Sequence, residues 1–308
     1  MKAPHFNSSP KSNQVIITLD QATGPVQIPM TNDYLFRALL QKNNHVLKGL
    51  ICALLHLKPE EVISVTILNP IVLGEYIDNK DFVLDIRCLL NDNTIINLEM
   101  QVVNQHNWPE RSLSYLCRSY DNLKSGEDYI HVKTAIQIGI LDFTLFPEIP
   151  EFYATYMMTN IKNHQIYSSK LRLSVLDLTH IELATEEDRF FHIDYWACLF
   201  KATTWEEIKM LAQKDSMIKE ASDTILQLSQ DEQIRLRCEA RADYLYWQKI
   251  EEEYKKELEE NKKELEKNYQ KVLREKQQLA DDIQKLENDN REKNLLIAQL
   301  QAQLEQKK

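Results

Sequence analysis

Lys80-Asp81-Phe82-Val83-Leu84-Asp85-Ile86-Arg87-Cys88-Leu89-Leu90, Asn91-Asp92-Asn93 and Thr94-Ile95-Ile96-Asn97-Leu98-Glu99-Met100-Gln101 follow one another in the chain. Two apolar, β-branched-rich runs flank a three-residue turn of Asn and Asp, which tolerate left-handed backbone. The stretch reads as a β-hairpin. A turn centred on Asp92 sets Leu90 opposite Thr94 and Asp85 opposite Glu99. Side chains alternate along a strand. Leu84, Ile86, Cys88 and Leu90 therefore share a face with Ile96, Leu98, Met100 and Val102. Asp85, Glu99 and Gln101 share the other.

Two carboxylates directly across an antiparallel pair repel each other. A divalent cation reverses that sign, because hard cations such as Mg²⁺ take one or two carboxylates together with water and substrate phosphate. The hairpin thus points to a metal-dependent phosphodiester site with Asp85 and Glu99 as ligands. The plainer reading is a solvated sheet face on which Arg87 pairs diagonally with Glu99.

Outward from the hairpin, Thr31 or Asn32 can cap a helix starting at Asp33, with Leu35, Leu39 and Leu40 on its apolar face. A second helix is expected over about 45–56, stopped by Pro59, and a strand over 62–68. Pro109 opens a helix to about Lys124, ended by Ser125-Gly126. Residues 131–143 read as a strand buried on both faces. Runs 152–158 and 165–178 form an antiparallel pair around Asn160-Ile161-Lys162-Asn163. From Ile181 the chain is helical, with capping boxes at Thr204…Glu207 and Ser229…Glu232. Residues 1–28 carry at most a short strand at 15–19 and are expected to be flexible. The residues alone support a mixed sheet flanked by helices.

The ordered set of segments resembles the PD-(D/E)xK nuclease superfamily, and more specifically its recombination-promoting nuclease and transposase family of bacteria. Asp85-x13-Glu99-x-Gln101 matches the signature hairpin. Asn32-Asp33-Tyr34-Leu35-Phe36-Arg37 is similar to the family's opening Asp-x-x-Phe-Lys, with Arg in the Lys place. Lys80, Arg111, Tyr115, Gly126 and Tyr129 also fit, and the likeness covers roughly residues 28–145. The resemblance implies a restriction-endonuclease-like α/β core and a DNA endonuclease of low sequence specificity that uses Mg²⁺ or Mn²⁺. It implies Asp85 and Glu99 as metal ligands, with the Met100 carbonyl completing the shell. Gln101 stands where the superfamily has Lys, as is usual in this family, and can orient water or a phosphate oxygen without adding charge. Asp33 is the extra acidic residue of the first helix; its other reading is stabilisation of the helix N-terminus.

The formal net charge is −10. The tail from Tyr246 carries 14 Lys and Arg against 15 Asp and Glu, so the body carries almost all of the excess. That composition excludes a sequence-independent DNA coat and leaves room only for a local basic track, with weak, salt-sensitive affinity. The five cysteines include no C-x-x-C pair, which suits buried thiols in a reducing cytoplasm, and no zinc spacing occurs. Nothing reads as a signal peptide or membrane span, so a bacterial cytoplasmic protein is expected. In the tail, Leu258, Leu265, Val272, Leu279, Leu286, Lys293 and Leu300 alternate with Lys262, Tyr269, Lys276, Ile283, Asn290, Ile297 and Leu304 as heptad d and a positions. This favours a homodimeric coiled coil over a solvated single helix. The expected order is a flexible segment (1–28), a nuclease-like domain (29–180), a helical region (181–245) and the coiled coil (246–308). Two alternatives stand beside the DNA nuclease: an inactive nuclease-fold scaffold acting through its coiled coil, and an RNA nuclease.

Overall fold

A computed structural model of the protein describes residues 17–71 and 85–305. Lys80, Asp78, Asp81 and the start of the hairpin lie outside the described residues. Two compact units are distinguished, 1–248 and 249–308.

The first unit is built on a six-stranded mixed sheet. Its strands are β1 (Val65–Ile67), β2 (Ile86–Leu90), β3 (Thr94–Gln101), β4 (Thr134–Leu141), β5 (Tyr153–Tyr156) and β6 (Leu171–Asp177), in the spatial order β1-β2-β3-β4-β6-β5. The β1/β2, β2/β3 and β5/β6 pairs are antiparallel, whereas β3/β4 and β4/β6 are parallel. The hairpin register has Leu90 opposite Thr94 and Ile86 opposite Leu98. It is set by the turn, where Asn91 and Asp92 adopt left-handed backbone (φ 48° and 58°). Continued by one residue, the register brings Asp85 opposite Glu99.

Helices α1 (Asp33–Lys42), α2 (Asn44–Leu55) and, after the short α4 (Glu186–Phe190), α5 (Ile193–Lys201), α6 (Trp205–Ala212) and α7 (Ser216–Gln230) contribute to one hydrophobic core with one face of the sheet. Ile86, Cys88, Ile96, Leu98, Ile138 and Ile140 supply the sheet's share. On the opposite face lies α3 (Trp108–Tyr120), which carries the chain from β3 to the parallel β4; Trp108 and Leu116 pack there on Ala135, Leu141, Leu173 and Val175. Both faces of β3 and β4 are therefore covered, and so polar residues of the inner strands are buried. Gly139 is where α3 comes closest. A Cβ at that position would lie 2.1 Å from Trp108 Cζ2, so only glycine admits the indole.

Several local expectations are corrected. Asn32 caps α1, accepting the Leu35 N–H at 3.1 Å, but α2 ends in a left-handed His56 (φ 54°) ahead of Pro59. The first strand is only three residues long. Helix α3 stops at Tyr120 rather than Lys124 because Asn122 intervenes: its Nδ2 donates to the Ser119 and Tyr120 carbonyls, and its Oδ1 accepts the Lys133 N–H. Ser229 lies inside α7. The N-terminal cap of α8 (Glu232–Glu305) is instead Asp231, accepting the Gln233 and Ile234 N–H groups. No strand covers 17–19. Leu19–Gln21 is a 3-10 turn, Leu19 and Ala22 are buried, and Ile17 exchanges hydrogen bonds with the Gln230 side chain. Residues 17–28 thus pack onto the body.

Three of the five cysteines, Cys52, Cys88 and Cys238, are buried, and all are free thiols; burial pushes Cys88 up to about 12. Among the described residues no helix is long and apolar enough to cross a membrane. The second unit, described by itself, is the continuation of α8, with exposed apolar side chains at Leu258, Leu265, Val272, Leu279, Ile283, Leu286, Ile297 and Leu300.

Candidate active site

The site face of β2 and β3 carries Asp85, Arg87, Asn97, Glu99 and Gln101. Asp85 is half-buried at the mouth of β2. Its backbone carbonyl accepts hydrogen bonds from Arg37 Nη1 and, at 3.0 Å, from Asn69 Nδ2. Arg37 is fully buried one turn after Asp33, and its Nη2 also holds the Asn69 carbonyl. The cation in the family's Lys place therefore clamps backbone, fixing where β2 begins relative to α1. Burial pushes the Asp85 carboxyl up, opposed by the Arg37 charge, a hydrogen bond with the Asn97 side chain and the Arg111 charge.

Glu99 is 6 % exposed. Burial under α3 raises its carboxyl to about 7, against the pull of Arg111; the nearby charges of Asp85 and Asp33 push the same way as burial. Arg111 Nη2 lies 2.6 Å from Glu99 Oε1, and its guanidinium sits 5.5 Å from the Tyr115 ring centroid, one turn along α3. Arg111, rather than the diagonal Arg87, is the partner of Glu99. Gln101 Nε2 donates to the Val103 carbonyl at 3.0 Å, which turns its Oε1 the other way.

Asp33 is buried at the first turn of α1 and accepts a bidentate pair from Arg241 of α8, Nε at 2.8 Å and Nη2 at 2.6 Å. Its charge reaches Glu99, but its oxygens are engaged by a guanidinium.

A row of amides borders the carboxylates. Asn97 Nδ2 donates to Gln137 Oε1 at 2.9 Å, both side chains being buried between the sheet and α3. Sequence reasoning passed over these two, although each is a polar residue inside an otherwise apolar strand. It had no signal at all for Arg241.

Glu99 Oε2, Asn97 Oδ1 and Gln101 Oε1 are buried acceptor oxygens with no hydrogen-bond partner. Buried acceptors normally find donors, and leaving one unmet costs about 1–3 kcal/mol. Of the three, Glu99 Oε2 stands opposite Asp85, and Asn97 and Gln101 lie two residues to either side along β3; the two carboxylates are the pair that would share a cation, an all-oxygen donor set. Such a set fits Mg²⁺ or Mn²⁺ better than zinc, which prefers sulfur and nitrogen. Among the described residues no three His, Cys, Asp or Glu side chains cluster as ligands; two carboxylates with water and phosphate are enough for Mg²⁺.

Neither the curated proteins nor the solved structures contain a significant match to the chain. A family model does match, over residues 30–255, which takes in the sheet, the hairpin, α3 and the first part of α8. The chain belongs to the PD-(D/E)XK nuclease family transposases.

Proposed function

We propose that the protein is a divalent-metal-dependent DNA endonuclease, using Mg²⁺ or Mn²⁺ and cutting with little sequence specificity. The family carries the nuclease and transposase-like assignment and the DNA substrate. The observation that supports the metal site is the buried, unpartnered Glu99 Oε2 on the strand position opposite Asp85.

In this reading Asp85 and Glu99 hold the cation, which would polarise the scissile phosphate and lower the pKa of an attacking water. Gln101 Oε1 is the acceptor that orients that water, its own amide nitrogen being held by Val103. Arg111 neutralises Glu99 in the free protein and is placed to turn to a substrate phosphate oxygen, which a guanidinium binds well. Asp33 acts indirectly: locked by Arg241, it fixes the α1 terminus and adds negative field at Glu99. The apolar heptad seam of the tail supports a homodimer, and Asn290 at an a position favours the parallel form, which would bring two single-cut sites to one duplex. A second reading, a scaffold that no longer cuts, draws on Gln101 in place of Lys and on the guanidinium groups engaging Glu99 and Asp33.

Supercoiled plasmid incubated with purified protein, with and without Mg²⁺ and beside Asp85→Ala and Glu99→Ala, decides between them. Mg²⁺-dependent nicking or linearisation lost in both variants is expected. Variants that cut as well as wild type would refute the hairpin site. A folded wild type inert with both Mg²⁺ and Mn²⁺ would favour the scaffold.

A further inference from the structure

Between β5 and β6 the chain forms a short hairpin of its own, offset from the sheet by a turn at Ser169-Lys170. The Tyr167 N–H donates to the Met158 carbonyl at 3.0 Å, Thr159 and Ile166 form an antiparallel bridge, and the Asn160 N–H donates to Gln165 at 2.9 Å. The tip is held by its own side chains. Asn160 Oδ1 accepts the Lys162 N–H, Asn163 Oδ1 accepts the Gln165 N–H, and His164 takes a left-handed φ of 59°. At the root, Lys170 Nζ donates to the carbonyls of Ile130 and Val132 at 3.0 and 2.9 Å. The arm is thus preorganised, yet every residue from 158 to 167 is exposed, Ile161 at 90 % and Tyr167 at 83 %.

Its charge is opposite to that of the molecule. Residues 152–176 contain Lys162, Lys170, Arg172 and His164 and no Asp or Glu, in a chain of net charge −10. An acidic nuclease has to concentrate its attraction for phosphate in one place. Exposed apolar and aromatic groups flanking the exposed Lys162, on a narrow hairpin rather than a flat patch, fit a groove. The major groove of B-DNA is about 12 Å wide and admits a two-stranded β-ribbon.

We propose that the ribbon around Lys162 and Tyr167 is the DNA-tracking arm, seated in the major groove of duplex DNA away from the cut. The inference rests on the nuclease reading for its substrate. The strand register puts Val175 level with Gly139 and Glu99, and from there to His164 the chain spans at most about 36 Å, near 3.3 Å per residue. One turn of B-DNA measures about the same. The arm leaves the sheet before Leu171, at the end of β6 opposite the one that carries Val175 and Glu99, so it meets the duplex away from the cleaved bond.

The test is fluorescence anisotropy of the full-length Glu99→Gln protein, which holds DNA uncut, on a labelled duplex of about 20 base pairs across a salt series. Lys162→Ala and Tyr167→Ala are compared with it, and with plasmid cleavage in the Glu99 background. Lys162→Ala is expected to lower the salt slope by about one and the affinity at 0.1 M salt by about eightfold, the worth of one phosphate contact. Tyr167→Ala should weaken binding with the slope unchanged. Unaltered affinity and slope in both variants would overturn the arm, even if wild type cuts plasmid. Loss of binding in the variants of a protein that never cuts would uphold the arm and sink the nuclease reading instead. Tighter, arm-dependent binding to an RNA duplex of the same sequence would overturn the assignment to DNA.

Discussion

Glu99→Gln should stabilise the fold. Burial under α3 holds the Glu99 carboxyl near 7, against about 4.5 in an unfolded chain. The native state therefore binds this proton more tightly than the unfolded state does. Stability from Glu99 is fully present below about pH 4.5 and is lost as pH rises through about 7, the folded value. A displacement of roughly 2.5 pH units corresponds to about 3 kcal/mol. Gln has nearly the shape of protonated Glu and cannot ionise, so it escapes the loss. Arg111, 38 % exposed, can take water in place of the carboxylate. Urea unfolding of both proteins without divalent cation should give near-equal stability at pH 4.5 and a variant about 2–3 kcal/mol more stable at pH 8. A pH-independent difference, or a less stable variant at pH 8, would refute the claim that Glu99 is ionised at a cost. Mg²⁺ at pH 8 should then raise the melting temperature of wild type and leave Glu99→Gln unmoved.

Gly139→Ala should cost about 1–3 kcal/mol through overpacking, since its Cβ would fall 2.1 Å from Trp108; a double-mutant cycle with Trp108→Ala should recover most of that in urea unfolding. Arg241→Met should destabilise by about 3–5 kcal/mol by leaving the Asp33 carboxylate buried alone, whereas removing both partners should cost less, again read by denaturation. Leu279→Lys together with Leu286→Lys should convert a sedimenting dimer to a monomer if the exposed seam of α8 is a coiled coil; unchanged mass for the variant and a monomeric wild type would each count against it.

What the sequence made legible is local. The hairpin register could be read because Asn91-Asp92-Asn93 imposes it, and one pairing then fixes every other along two strands. The antiparallel pairing of β5 and β6 was readable, but its register was not: Tyr156 pairs with Leu173, because residues 167–170 bend and turn on their own instead of extending the strand back to Asn160-Asn163. What was not legible depends on residues far apart. Arg111 reaches Glu99 because α3 folds back over the sheet, and Arg241 reaches Asp33 across 208 positions. Neither periodicity nor spacing encodes such encounters. Ser229…Glu232 has the pattern of a capping box, but α7 runs through Ser229 and Asp231, a competing cap residue two positions on, takes the cap. Asn97 and Gln137 were visible as polar interruptions of apolar strands; only the second layer over the sheet makes them buried neighbours of the carboxylates.

The pairing of Asp33 with Arg241 also orders events in time. A ribosome adds roughly 5–20 residues per second, so Asp33 waits about 10–40 s for the residue that neutralises it. Until α8 begins to leave the exit tunnel, α1 has its Asn32 cap but not the guanidinium that neutralises Asp33. A nascent chain therefore carries the whole hairpin for much of its synthesis with Asp33 not yet paired. A truncated product ending before Arg241 would therefore lack the partner of Asp33.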